Sequence, residues 1–309
     1  MLKFVLKRLL LLIPTLLAVI FLVFSILALT PGSPGRQILG PTASPAAVDR
    51  LNEDLGYHRP FAVRFASYVG DILRGDFGRS YNTNKPVFTE IFARFPTTLI
   101  IAVVGIIGTG LIGIPLGVLS AVKQYSIIDS ISTTFALVLA AIPVFWLGLM
   151  LILFFSLRLS WLPATGIGSW QHYVLPMATI CLPAAAGILR MTRTTMLETI
   201  RQDYIRTARA KGAPERQVIW GHALKNALLP VITSLGMSFG SLLGGTILTE
   251  SVFALPGLGT LVLNSIRSKD IPVVMGAVIF LATLFCLIVL AVDLIYAFID
   301  PRVKAQYVK

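Results

Sequence analysis

Residues 97–122 read TTLIIAVVGIIGTGLIGIPLGVLSAV and carry no charged side chain. An α-helix needs about 20 mostly apolar residues to cross a bilayer core, and this stretch is long enough. In hydrocarbon every backbone N–H and C=O must be satisfied within the segment, so the stretch predicts a transmembrane helix. Outward from it, residues 9–29, 131–157, 226–249 and 271–292 are equally free of charge. A sixth segment, 173–189, is shorter and carries Pro176 and Pro183. Those prolines remove backbone donors, so this fourth span is expected to be kinked and to sit inside a bundle where neighbouring helices satisfy the freed carbonyls. The pattern predicts an all-α, polytopic membrane protein with six transmembrane helices.

Composition points the same way. Of 309 residues, 56% are apolar and 13% charged, against about 25% charged in soluble domains. With a mean hydropathy of +0.83, the chain needs the bilayer as solvent. Disorder, collagen-like repeats and a disulfide scaffold are excluded. Cys181 and Cys286 lie inside apolar runs without metal-ligand spacing and read as packing residues.

Segment 9–29 follows Lys3, Lys7 and Arg8 but exceeds the roughly 7–15 apolar residues of a secretory signal, so it reads as a retained first span. With that end inside, 15 of the 26 Lys and Arg fall on the cytoplasmic side, 3 in short loops outside, and 8 in 30–96, which is too long for the orientation rule. Both termini are expected in the cytoplasm. The formal charge of +12 is then mainly a topology signal with some attraction to anionic lipid, and no basic face with stacking aromatics suggests a nucleic-acid partner. The division that follows is a cytoplasmic N-terminus and first helix (1–30), an extracytoplasmic cap (31–96), a core of five helices (97–299) and a cytoplasmic tail (300–309).

Two segments outside the lipid stand out. The cap is punctuated by Pro31, Gly32, Pro34, Gly35, Gly40, Pro41 and Pro45, then turns helical in pattern around 48–55 and 61–73. It reads as a small folded unit, either closing the bundle or docking an external partner through Tyr57, Phe61, Phe65, Tyr68 and Phe77. The second is 194–225. Leu197, Ile200, Tyr204, Ile205 and Ala208 recur at helical spacing with Arg201, Arg206, Arg209 and Lys211 elsewhere on the wheel, predicting one amphipathic helix. Lys211 suits the negative end of that helix, Gly212 can take the left-handed conformation at C′, and Pro214 can start a second helix leading into the fifth span. A helix–glycine–helix elbow results, lying on headgroups or docking a soluble subunit.

The run Asp203-Tyr204-Ile205-Arg206-Thr207-Ala208-Arg209-Ala210-Lys211-Gly212, with His222-Ala223-Leu224-Lys225-Asn226-Ala227-Leu228-Leu229-Pro230 after it, resembles the coupling loop of ABC importer permeases of the dipeptide, oligopeptide, glutathione and nickel family. Glu250-Ser251-Val252-Phe253-Ala254-Leu255-Pro256-Gly257-Leu258-Gly259, Asp270-Ile271-Pro272, Asp300-Pro301-Arg302 and the N-terminal Gly75-Asp76-Phe77-Gly78 are similar to further motifs of that family. Where the superfamily loop has Glu-Ala-Ala this chain has Arg206, Thr207 and Ala208, as the peptide permeases do. The resemblance implies the type I ABC importer permease fold and a place in the bacterial inner membrane. It also implies four partners: a homologous second permease, two cytoplasmic ATPase subunits that bind the ATP and magnesium, and an extracytoplasmic solute-binding protein. The elbow becomes the ATPase-coupling loop, with Tyr204, Ile205, Ala208 and Leu224 as apolar contacts and Arg206, Arg209 and Lys211, beside Thr207 and the hinge Gly212, orienting the dock.

The chain contains no Gly-x-x-x-x-Gly-Lys-[Ser/Thr] phosphate loop, so a non-catalytic subunit without a cofactor of its own is expected. Ionisable groups at the spans reduce to Arg158, Arg190, Glu250 and Asp293, each near a span end, and His58, His172 and His222 lie in different loops. A secondary carrier or channel would call for intramembrane charges or inverted repeats, and a membrane enzyme for convergent catalytic residues. Inside the spans the informative residues are Gly113 and Gly117, and Gly236, Gly240 and Gly244, four positions apart, where helices can approach closely. They suit static packing or a sliding, pathway-facing surface.

Overall fold

The computed structural model describes residues 2–299. Asp300-Pro301-Arg302 and the expected cytoplasmic tail lie outside the described residues. Among those described the chain is helical without a strand, apart from an isolated bridge between Arg79 and Pro86. It divides into two compact units: Leu2–Thr98 with Pro256–Cys286, and Leu99–Leu255 with the chain from Leu287 onward.

The first unit contains α1 (Leu2–Leu29), α2 (Pro34–Leu39), α3 (Pro45–Asp54) and α4 (Phe61–Leu73), so the expected cap is indeed helical at the two anticipated places. Ser33 and Ser44 cap α2 and α3, each accepting a backbone N–H, and a proline follows each at the first helical position. Gly35 is required by packing, since a Cβ there would lie 2.6 Å from the Val48 carbonyl oxygen. Phe65, Tyr68 and Ile72 of α4 pack against Ile20 and Phe24 of α1 and Met275 and Ile279 of α14 (Ile271–Ile299). A second cluster joins Val87 and Ile91, at the start of α5 (Val87–Val122), to Leu258 and Leu261 of α13 (Leu258–Arg267). Asp270 fastens the 80–84 turn, accepting from the Ser80 hydroxyl, the Tyr81 N–H at 3.0 Å and the Asn82 amide at 3.1 Å. The cap helices, the 76–84 loop and the first turn of α14 line an open cavity of about 800 Å³.

In the second unit α8 (Gln171–Ile200) packs against α6 (Ile127–Ala141), α7 (Val144–Leu151) and α11 (Leu224–Gly245). Half of its apolar window is buried, against 6% for α1, which places it inside the bundle as its prolines suggested. It is not the short span expected: the helix runs 30 residues and carries Pro176 and Pro183 without interruption. The break falls instead in the third span, where α6 and α7 meet at 103°. Pro143 forces the residue before it away from helical geometry, and Ile142 is extended with ψ 128°. Among the described residues five single helices are long and apolar enough to cross a membrane, making six spans if the bent pair counts as one. α9 (Asp203–Ala210), α10 (Glu215–Gln217) and α12 (Ile247–Val252) complete the unit, with π-helical turns at Ile152–Arg158 and Val218–Ala223.

Candidate functional site: the helical elbow at 194–225

The amphipathic stretch is not one helix. α8 ends at Ile200, Gln202 is extended with ψ 149°, and α9 begins at Asp203. Leu197 and Ile200 thus belong to the last turns of the long helix, and Tyr204, Ile205 and Ala208 to a short separate one. No glycine or proline marks the break, so periodicity ran through it. Its cause is tertiary: Met196 of α8 and Ile205 of α9 are both fully buried in one cluster with Val118 and Ala121 of α5 and Val218, Ile219, Ala223 and Leu224. A straight helix would carry Ile205 away from that core.

α9 ends at Ala210, and Gly212 follows at C′ with φ +80°. Gly212 N–H donates to the Arg209 carbonyl at 2.9 Å and Ala213 N–H to the Ala208 carbonyl at 3.2 Å, the paired bonds of a Schellman motif. Ala208 and Ala213 add apolar contact beneath it. Pro214 then caps α10. Across the turn Arg209 holds Glu215 in a two-pronged pair, Nη2 to Oε1 at 2.7 Å and Nε to Oε2 at 3.1 Å. These bonds keep the Glu215 carboxyl below its ordinary range and push the Arg209 guanidinium up. The Asn226 amide donates to the Tyr204 hydroxyl at 3.0 Å, tying α9 to α11. Both limbs are therefore fastened to each other and to the bundle.

The residues divide by face. Ile205 is 0% and Leu224 8% exposed, so both are spent on this chain's own core and cannot supply the outward contacts expected of them. Ala208 is half-buried. Tyr204, Arg206, Thr207, Arg209 and Lys211 face outward. Trp220 joins them at 46% exposure, matching Tyr204 at 45%. Its position in a π-helical turn, where helical spacing is lost, hid it from the periodicity argument.

The glycines separate likewise. A Cβ on Gly113 would lie 2.9 Å from the Ala185 carbonyl and from Ile188, and one on Gly117 2.6 Å from Thr192, so α5 and α8 meet there in close contact. Gly236 is pressed against Val292. Gly240 is buried, whereas Gly244 is exposed with open space beside it. A further polar group escaped the sequence: Asp129, at the start of α6, accepts from Arg193 Nε at 2.7 Å and Nη2 at 2.8 Å, from the Ser120 hydroxyl and from Tyr125 N–H at 2.9 Å. One carboxylate thereby joins α5, α6 and α8.

The elbow gives the bundle a fastened surface that is basic and aromatic. The family model described as "Binding-protein-dependent transport system inner membrane component" matches residues 113–305, and its N-terminal companion matches 1–102. The dipeptide transport system permease protein DppB of Alkalihalophilus pseudofirmus is 41% identical, over 98% of this chain and all of that relative. The glutathione transport system permease protein GsiC of Salmonella typhimurium is 42% identical and that of Escherichia coli K12 41%, each over 98% of this chain and 99% of the relative. Among solved structures, an inward-facing methionine ABC transporter, MetNI, superposes with a TM-score of 0.56 at 24% identity, over 68% of this chain and 95% of that one. An amino acid ABC transporter gives 0.52 at 14% identity, over 70% and 94%.

The chain belongs to the family of binding-protein-dependent transport system inner membrane components. It is a multi-pass inner-membrane protein with the ABC importer permease fold, a non-catalytic subunit of an ATP-driven importer that works with other components of its transporter.

Proposed function

We propose that this permease forms half of the translocation pathway for short peptides or a peptide-like solute. Its relatives named for dipeptide and for glutathione transport support that class, since glutathione is itself a small peptide. A homologous second permease would supply the other half, a solute-binding protein would deliver the cargo outside, and two ATPase subunits would bind ATP and magnesium inside. Both termini then face the cytoplasm, on the Lys and Arg distribution.

One observation carries the mechanism: α9 is clamped from beneath by Ile205 and across its end by the Arg209–Glu215 pair, so it transmits a push instead of bending. An ATPase groove that receives Tyr204, Trp220 and the basic residues around them would move the elbow as a rigid body, and α5, α8 and α11 with it. Gly212 tests this. Open space surrounds its Cβ position, so a side chain there brings backbone strain alone, about 1–2 kcal/mol. Gly212→Val should leave insertion intact and sharply lower uptake, while Gly212→Asn, which tolerates the left-handed conformation, retains most of it. Near wild-type uptake and ATPase co-purification in Gly212→Val would sink the docking role.

A further inference from the structure

The carboxylate of Asp129 gathers more partners than an ordinary helix cap requires. It lies in the first turn of α6 and is buried. Arg193 of α8 reaches both of its oxygens, Nε to Oδ1 at 2.7 Å and Nη2 to Oδ2 at 2.8 Å. The buried Ser120 of α5 donates its hydroxyl to Oδ1, and Tyr125 in the α5–α6 connection donates its N–H to Oδ2 at 2.9 Å. Tyr125 has φ +64°, a conformation that a bulky side chain seldom holds unless something fixes it. One side chain therefore ties two helices and a strained turn to the start of a third.

Its place relative to the elbow gives this tie a consequence. Arg193 precedes the end of α8 at Ile200 by two turns, about 10 Å. Met196, three positions further on, is in the core that holds the elbow, and Ser120 lies between two other members of that core, Val118 and Ala121. α5 and α8 thus reach the elbow directly. Among the described residues no side chain of α6 belongs to that core. α6 meets α8 through Ala136 and Leu139 against Ala186 and Leu189. Such an apolar seam opposes separation but resists little when one helix slides along the other, which is how packed helices move in shear. A forked pair fixes direction as well as distance. Burying it contributes less stability than apolar residues of the same volume can, so what sets it apart is register.

We propose that Arg193 and Asp129 are positioning residues for coupled transport: their pair is the joint through which a displacement of the elbow reaches α6, the first limb of the bent third span. The inference rests on the docking of an ATPase at the elbow. Without the joint the ATPase still docks and still turns over, but α6 slips against α8 and part of each stroke is lost.

The test uses the assembled transporter in proteoliposomes and reads the dipeptide Ala-Phe taken up per ATP hydrolysed. Two variants serve. Arg193→Lys keeps the charge and gives up the fork. Asp129→Asn/Arg193→Gln removes both charges together, so neither is left buried alone and the bundle can still assemble. Uptake per ATP should fall about three- to tenfold in the double variant and by a smaller factor in Arg193→Lys, with ATPase co-purification and turnover near wild type. A pair that only stabilises the fold predicts something else: uptake and hydrolysis falling in step with the amount of assembled transporter, at an unchanged ratio. That result would overturn the proposal, and failure of both variants to assemble would overturn it as well. The wild-type chain separates the two readings. If no ATPase co-purifies with it, the docking reading ends and this inference with it, whereas an unchanged ratio in variants that retain the ATPase ends this inference alone.

Discussion

Arg193 and Asp129 stand 64 positions apart and meet in a two-pronged ion pair whose carboxylate is only 6% exposed. Removing the arginine strands a carboxylate that is almost dry, which costs more than the bond itself contributed. Arg193→Ala should lower stability by about 1.5–3 kcal/mol. The double variant Arg193→Ala/Asp129→Ala should cost less than the two single changes together, by about 1 kcal/mol or more. Thermal unfolding in detergent measures all three, and strictly additive losses would show that the pair is not coupled. In the sequence Arg193 was one of many positive residues beside a span, and nothing local joined it to Asp129. Gly212 was the opposite case. A glycine after a basic last turn and before Pro214 announces a left-handed C′, and φ +80° is a property of that short run.

At the level of elements, the glycine stripes give a contrast that spacing could not. Gly117→Ala forces a Cβ to within 2.6 Å of Thr192 and 2.7 Å of the Leu189 carbonyl, so α5 must retreat from α8. A loss of about 1–3 kcal/mol is expected. Gly244→Ala meets nothing within 4 Å and should change stability by less than about 0.5 kcal/mol. Equal melting shifts for the two would refute the assignment of close contact to Gly117 and open space to Gly244. The elbow responds to acid. Because Arg209 holds the Glu215 carboxyl below its ordinary value, the pair contributes fully at neutral pH and above. Its contribution is lost as pH falls through that lowered value. Amide exchange across 203–217 should therefore be constant between pH 6 and 8, quicken below the ordinary glutamate range beyond the intrinsic pH effect, and in Glu215→Gln be quickened already at neutral pH. An elbow equally protected in both proteins would remove the pair from the account of its rigidity.

For the whole molecule, topology is the accessible prediction. Fifteen Lys and Arg on one side against three in the short loops of the other predict that both ends lie inside. Lys309→Cys should react with a membrane-impermeant thiol reagent only after the inner face is opened. Labelling in sealed cells would reverse the orientation, and with it the side proposed for ATPase docking.

The sequence by itself determined what depends on neighbours along the chain. Uncharged runs of span length fixed the bilayer as solvent, short motifs in order fixed the family, and cap residues such as Ser44 and Gly212 fixed where helices start and stop. Tertiary structure decided what depends on partners far along the chain. The break at Gln202 and the burial of Ile205 follow from sharing a core with Val118 and Val218. The hold of Asp270 on Ser80 spans 190 positions, and the cavity walls gather residues from Phe24 to Met275. Pro143 lay between these cases. Its effect on Ile142 is local, whereas Pro176 and Pro183 sit in a helix that its packing keeps continuous. The physical reason is common to all of them: backbone propensity and solvent preference are properties of a segment, whereas a side chain's face, partner and burial are set by what the rest of the fold brings against it.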